Sequence, residues 1–471
     1  MRNPSQSLSI PDPTPLLFLV ATASALVWAV GESSWTGVLI LGAVIVPAVV
    51  YFVSRSFTAA AVLLIAATAM PRFFIEVSSL KARPEHIAVG FMCLAMPFWW
   101  KRVKDQPLWI RADYLLVIYI GVNFVSSAFM SVDRNQTVKW AAQQMLVILP
   151  YFFLRVLITN RQRFRKAIEV LLAVGVLEAL YGLLCFYSNR FFGTEFGMEI
   201  GQYGSIPGTY GTQLEANILG STSAACMIML LTLYFKERKA KFLAGAAITY
   251  AGMAVSLSRA AVLAAGAASL VVIFYYWKKK IITAQMLTRV AATLLAVTLV
   301  LAPAPVSLYN ERFSTLEVSD VSADSNTTVR VVTIAVAFDN ILEHPILGNG
   351  TASFQLLSSY GEMGWSDVEQ AAWIGNTEIR VLHDMGIVGL VVFGLFIWYL
   401  FVPALKLAKR HAAPELLGLL FAAVLYSISF QATEGTFMGF CWIHLGLIAC
   451  AVSLARNDRD IGPDRAVGIS N

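Results

Sequence analysis

The chain has 471 residues, 58% of them hydrophobic and 14% charged, with a net charge of +6. A soluble domain carries roughly 25% charge, and the apolar runs here reach the about 20 residues that cross a bilayer; the composition excludes a string of soluble domains and points to one all-α, polytopic membrane domain over 1–471. The positive balance does not signal nucleic acid, because the basic residues cluster at the ends of apolar runs, and the five cysteines form no C-x-x-C pair, so they read as small buried hydrophobes, not as a zinc site or a disulfide frame.

The N-terminal stretch MRNPSQSLSIPDPTP is polar and Pro-rich, with no basic patch leading to a cleavage site, so no removable signal peptide is expected. Hydropathy then predicts helices at 14–30, 35–53, 57–75, 86–100, 113–130, 138–158, 166–187, 214–235, 241–257, 260–277, 285–302, 384–405, 414–432 and 436–455, about fourteen spans. Pro71, Arg72 and Pro97 interrupt the third and fourth, which neighbouring helices tolerate by re-satisfying freed backbone groups.

Basic clusters fall at Lys101, Arg102 and Lys104; Arg161, Arg163, Arg165 and Lys166; Lys236, Arg238, Lys239 and Lys241; Lys278, Lys279 and Lys280; Lys406, Lys409 and Arg410; and Arg456 and Arg459. With both termini cytoplasmic, every one of these lies on the cytoplasmic side, as the positive-inside rule requires. The connection carrying Arg72, Lys81 and Arg83 dissents, since it falls outside. Two long segments also face outward: 188–213, rich in Gly and Tyr, and a large loop over 303–383. Within the latter, 328–343 repeats apolar residues at helical spacing, with Val331, Ile334, Ala335, Phe338, Ile341 and Leu342 as a stripe and Asp339, Asn340 and Glu343 polar, which predicts a helix lying in the membrane interface. No internal repeat of the kind seen in many transporters is legible.

Arginines on the outward side are few, so each is a candidate. Arg259 sits in SLSRAA between two apolar runs, where an arginine costs about 2.5–3.5 kcal/mol if drawn to the helix centre; it is either an anion-binding group or a snorkelling anchor. Arg330 opens the amphipathic segment, Arg380 lies in GNTEIRVLHDMG, and Arg312 falls in a more polar stretch and reads as solvated. A guanidinium fork binds phosphate bidentately and keeps its charge, and phosphates at an outer membrane face are chiefly lipid head groups or lipid-linked pyrophosphates. Transfer of a sugar from such a carrier releases a pyrophosphate, which arginines stabilise as the anomeric bond breaks. A base is needed for the acceptor hydroxyl: Glu378 is nearest in sequence to Arg380, with Glu369, His383 and Asp384 also in range. Glu378 reads equally as an ion-pair partner of an arginine. No Walker-type loop or His/Asp metal cluster is present in the pattern, so neither a cofactor nor a metal is expected. His344 precedes the turn PILGNG, whose glycines predict positive backbone angles or close approach. Glu215 and Glu434, in apolar surroundings, are expected near the outer face beside the same cavity; Glu169 and Glu178, on one helix, read as packing or interface groups.

The segments SLSRAA (256–261), RVVTIAVAFDNILEHPILGNG (330–350) and NTEIRVLHDMGIVGL (376–390), in this order and spacing, resemble the O-antigen ligase-like family of bacterial polysaccharide ligases and polymerases; EAN at 215–217 resembles a D-P-N-like motif of the same family. The resemblance covers roughly 210–400. It implies a glycosyltransferase C-like fold, an inner-membrane location and an undecaprenyl-pyrophosphate-linked oligosaccharide as donor on the periplasmic face. Membrane lipid and a chain-length regulator are its further implied partners. By the same resemblance Arg259 and Arg330 bind the pyrophosphate, and Asn376 matches the family's asparagine; Glu215, Asn217, His344, Asn376 and Arg380 are expected to contact substrate. Ligases of the family carry His-Asn before the helix that follows the loop; this chain has Gly375-Asn376, which favours a polymerase, with Glu378 as base. A ligase transferring glycan to lipid A core is the alternative within the family, and a polysaccharide flippase the alternative of another class.

Overall fold

A computed structural model describes residues 46–77, 80–103, 109–199, 208–301, 325–357, 373–411 and 413–460. The predicted helix 14–30, most of 35–53, and the candidates Arg312 and Glu369 lie outside the described residues.

The helices are α1 (Val46–Arg55) and α2 (Phe57–Thr68); α3 (Pro84–Val103), α4 (Arg111–Phe129), α5 (Arg134–Leu157) and α6 (Arg161–Phe192); α7 (Ala216–Glu237), α8 (Ala240–Val255), α9 (Arg259–Lys278) and α10 (Ala284–Leu301); α11 (Ser325–Glu343), α12 (Phe354–Leu357), α13 (Thr377–His411), α14 (Pro414–Ser429) and α15 (Gly439–Asp460). Two short antiparallel pairs complete it: β1 (Ile75–Val77) with β2 (Leu80–Ala82), and β3 (Met198–Glu199) with β4 (Gly208–Thr209). Among the described residues eight helices are long and apolar enough to cross a membrane, nine if α1 and α2, bent by 118°, form one broken span. The chain is an all-α polytopic membrane protein.

The predicted helix 57–75 is shorter than expected. It stops at Thr68, whose hydroxyl donates to the Ile65 carbonyl, and Ile75 already belongs to a strand. Pro71 removes a donor the helix would need to continue.

At the centre stands α7, almost wholly buried and apolar on every side, as a helix surrounded by helices must be. Small residues allow its neighbours in: a Cβ added at Gly220 would sit 2.6 Å from Ser256 Oγ and 2.9 Å from Ser258 Cβ. Around α7 pack α6, α8, α9 and α14, while α4, α5 and α15 build the other half of the core with α13. Large apolar side chains point away from the bundle on α6, α9, α10 and α13, among them Leu177, Leu263, Leu270, Leu295 and Val391. In water such a surface would aggregate; in hydrocarbon it is solvated.

Helices α3, α7, α9, α13 and α15 run away from one end of the bundle and each finishes in a basic cluster. The opposite end gathers the connections that carry most candidate residues. Helix α13 breaks there: Gly386, at φ 61, interrupts it, so a short segment from Thr377 to Met385 leads into the long helix predicted from 384.

Candidate functional site

The turn before α9 brings the first arginine into place. Ser258 caps the helix, its hydroxyl accepting from the Ala261 amide at 3.2 Å and donating to Asn217 Oδ1 at 2.9 Å. Leu257, fully buried, holds φ 54, a conformation costly for a side chain of that size. The turn therefore fixes Arg259 as the first residue of α9, half-buried and one residue from the contact with α7. Asn217 lies in the first turn of α7, so the N-termini of α7 and α9, each carrying partial positive charge, meet at this point.

Glu215 precedes α7 as its N-cap residue. Burial and the nearby Glu199 carboxylate push its carboxyl up to about 7, against the pull of Arg330; Glu434 pushes the same way as Glu199. Glu199 in turn accepts from the Ala216 amide at 3.3 Å. Thus Arg330, from the outer helix α11, shares a charge environment with Glu215 and Glu434, which are far apart in sequence.

The helix predicted over 328–343 forms within α11. Thr333, Ala337 and Ile341 turn inward, with Ala337 packed in a cluster with Phe354 and Ile374. Small side chains at 333 and 337 permit that close seat. Val331, Phe338 and Leu342 of the predicted stripe stay exposed, following directly on Arg330.

Beyond α11 the PILGNG turn lies on the break in α13. Gly348 and Gly350 have φ of 71 and 92, and a Cβ on Gly348 would come 2.5 Å from the Met385 and Gly386 amide nitrogens. The Ile387 amide donates to the Pro345 carbonyl at 2.9 Å. His344 is half-buried and its carbonyl accepts from the Gly348 amide at 2.9 Å, closing the end of α11. The loop continues onto α4: the Gly350 amide donates to Ser126 Oγ and the Thr351 amide to Ser127 Oγ, while Thr351 also hydrogen-bonds Asn123.

Arg380 is only 3% exposed. Its Nε lies 3.5 Å from Asp384 Oδ2 and its Nη1 3.3 Å from Glu434 Oε2, and its guanidinium stacks between the rings of Trp373 and Phe437, at 4.4 and 4.3 Å from their centres. Asp384 also accepts from the Ala352 amide at 2.9 Å and contacts His383 Nδ1 at 3.0 Å. Glu434 accepts from the amide and hydroxyl of Thr436 and from the Phe437 amide. A chain of polar contacts then runs from Thr436 through Gln144 to Asn123. Arg380 is thus the hub that ties α13, the 344–353 turn and the 430–438 connection together.

Asn376 caps the same helix, its Oδ1 accepting from the Ile379 amide at 2.9 Å. Its side-chain amide donates to Gln431 Oε1 at 2.8 Å, and Gln431 Nε2 donates to both carboxylate oxygens of Glu378, at 3.2 and 3.1 Å. Glu378 is exposed and its described contacts are with Gln431, not with an arginine. Gly375, half-buried, stands immediately before this pair.

The dissenting basic connection is at this end as well. Arg72 donates to the Leu214 carbonyl at 3.1 Å and covers the ring of Tyr210 at 3.7 Å, and Arg83 donates to the Phe437 carbonyl at 3.3 Å. These side chains hold the loops that build the site. Asp384 and Glu434, candidates in the sequence, are both at the site, where they pair with Arg380; Gln431, which gave no signal in the sequence, joins Asn376 to Glu378.

The fold and this end of the molecule define a polytopic membrane protein whose polar, arginine-bearing site is assembled from the connections at one end of the bundle. A family model described as O-antigen ligase matches residues 244–394, from α8 to the middle of α13. Over this segment the chain is similar to the O-antigen ligase family, and the match supports a membrane enzyme of the O-antigen ligase or polymerase type. Arg259, Arg330, His344, Asn376, Glu378 and Arg380 fall within the matched segment. No curated protein matches the chain.

Proposed function

We propose that the chain is a polysaccharide polymerase that moves a growing glycan from an undecaprenyl-pyrophosphate carrier onto the non-reducing end of a new lipid-linked repeat unit. The observation that carries this reading is the convergence at the first turn of α7: Arg259 enters through the Ser258–Asn217 contact, and Arg330 through its charge on Glu215. Two arginines beside two helix N-termini suit a pyrophosphate. The exposed apolar residues that follow Arg330 on α11 suit the lipid tail of the same molecule.

In the step, the bond between the anomeric carbon and the pyrophosphate oxygen breaks, and the acceptor hydroxyl oxygen forms the new glycosidic bond. The acceptor proton passes to Glu378, an exposed carboxylate oriented by Gln431. The pyrophosphate leaves with its charge stabilised by Arg259 and Arg330. Arg380 positions the 376–386 segment through Asp384 and Glu434. The step is metal-independent. His344 and Asn376 lie beside the acceptor path, on the periplasmic face of the inner membrane. The basic helix ends then face the cytoplasm with both termini, and a chain-length regulator is the expected protein partner.

Gly375, where ligases of the family carry histidine, favours polymerisation; the family description, O-antigen ligase, favours transfer to lipid A core. Carrier-linked intermediates in a deletion strain separate these. A polymerase loss accumulates single repeat units on the carrier at the outer face. Long chains still on the carrier indicate a ligase, and units retained on the cytoplasmic face indicate a flippase; either outcome overturns the proposal.

A further inference from the structure

A partly open pocket of about 30 Å³ lies between α2, α6, α7, α14 and α15, with Glu178, Gln213, Thr222, Tyr426 and His444 among its walls. That is room for about two waters, each of which needs roughly 10–15 Å³ and two or more polar partners. On residues of its walls that are 1%, 6% and 4% exposed, Gln213 Oε1, Tyr426 Oη and His444 Nε2 are buried with no hydrogen-bond partner among the described residues. His444 Nδ1 lies 2.9 Å from the Phe440 carbonyl, which only accepts, so Nδ1 carries the ring proton and a neutral ring presents a lone pair at Nε2. Gln213 Nε2 donates to the Ala69 carbonyl at 2.9 Å, leaving its Oε1 as an acceptor.

Glu178, 7% exposed, is the acid of this cavity. Its Oε1 accepts from the Thr212 amide at 3.0 Å. Its Oε2 lies 2.6 Å from Thr212 Oγ1, which also lies 2.6 Å from the Ala69 carbonyl oxygen. The Thr212 hydroxyl has one proton and the carbonyl has none. Both short contacts are satisfied only if Thr212 donates to Ala69 and Glu178 donates to Thr212. The hydrogen-bond geometry therefore calls for a proton on Glu178 Oε2.

We propose that this cavity is a second, internal site whose ligands are a small water cluster and one exchangeable proton held on Glu178. A neutral acid here avoids burying an unpaired charge among apolar helices. It also does mechanical work: the chain Glu178–Thr212–Ala69 ties α6 to the end of α2 and holds the segment that leads into Glu215. The proton on Glu178 thus fixes the entry to α7, on which the arginine site is built. This inference stands on the cavity alone and does not depend on the polymerase reading.

The test uses the full-length protein in lipid nanodiscs at neutral pH, by infrared difference spectroscopy of wild type against Glu178→Gln. Wild type is expected to show a carboxylic-acid C=O band that the variant lacks, and the band is expected to shift in D2O as the cavity water exchanges. The glutamine amide reproduces both contacts, Nε2 donating to Thr212 Oγ1 and Oε1 accepting from the Thr212 amide, so Glu178→Gln is expected to melt with wild type. Absence of an acid band unique to wild type overturns the proton assignment. A band that does not shift in D2O overturns the hydrated cavity. A Glu178→Gln protein destabilised as much as Glu178→Ala shows that the negative charge is what matters, and overturns the proposal; should Glu178→Ala fail to fold, the spectrum and melting of Glu178→Gln decide alone.

Discussion

Replacing Arg380 by alanine separates the arginine that holds the site from those that act in it. Arg380 is paired with two carboxylates that are themselves buried, with side-chain exposures of 5% for Asp384 and 7% for Glu434. Removing the cation leaves both charges facing each other without compensation. Breaking one buried pair from one side costs about 3–5 kcal/mol, and loss of the stacking on Trp373 and Phe437 adds about 0.5–2 kcal/mol. At about 1.4 kcal/mol for each factor of ten, the folded population falls by at least two orders of magnitude. Arg380→Lys keeps the charge but not the planar fork between the rings, so it recovers only part of this. The assay is thermal unfolding of detergent-purified protein, followed by monodispersity on size exclusion. An Arg380→Ala protein that melts with wild type but has lost activity would refute the assignment and return Arg380 to the substrate.

Glu378→Gln is expected to lower turnover by about 10²–10⁴-fold, the usual contribution of a general base, without changing the melting temperature, measured as repeat units added per unit time in proteoliposomes. Gly386→Ala places a Cβ 2.3 Å from the Ile346 carbonyl group at a positive φ, so it is expected to destabilise the protein by well over the about 1–2 kcal/mol that the backbone angle alone costs; unfolding in denaturant checks this. The Glu215 carboxyl, raised from 4.5 to about 7 by burial and Glu199, favours its protonated form in the folded state. Its contribution to stability is therefore full below the unfolded carboxyl value, about 4.3, and is lost as pH rises toward 7. Melting curves across that window should show a slope in wild type that Glu215→Gln removes.

Much of this architecture was legible because membranes impose few solutions. Apolar runs gave the helices, and the basic residues Lys236, Lys278, Lys406 and Arg456 fall in the C-terminal parts of α7, α9, α13 and α15. The glycines of PILGNG were readable as backbone features, and Gly348 meets the backbone at Gly386 as such a residue must. What α11 packs against was not readable: the exposed Val331, Phe338 and Leu342 suit a helix lying in the interface, but the inward face of Thr333, Ala337 and Ile341, with Ala337 packed on Phe354 and Ile374, is set by distant segments. Nor could sequence sort the arginines. Arg380 is claimed by Glu434 and by rings at 373 and 437, contacts made only when two distant connections meet. Glu378 and Asn376 converge on Gln431 for the same reason.

The central claim is that Arg259 and Arg330 together hold the pyrophosphate of a lipid-linked glycan donor. Its most direct test is the chain-length distribution made from lipid-linked repeat units by purified wild-type, Arg259→Ala and Arg330→Ala proteins reconstituted at equal, folded amounts. The account predicts a ladder of polymer from wild type and only single repeat units from either variant, with turnover down by about 10²–10³-fold as for loss of one transition-state charge contact. A wild-type ladder from both variants would contradict it.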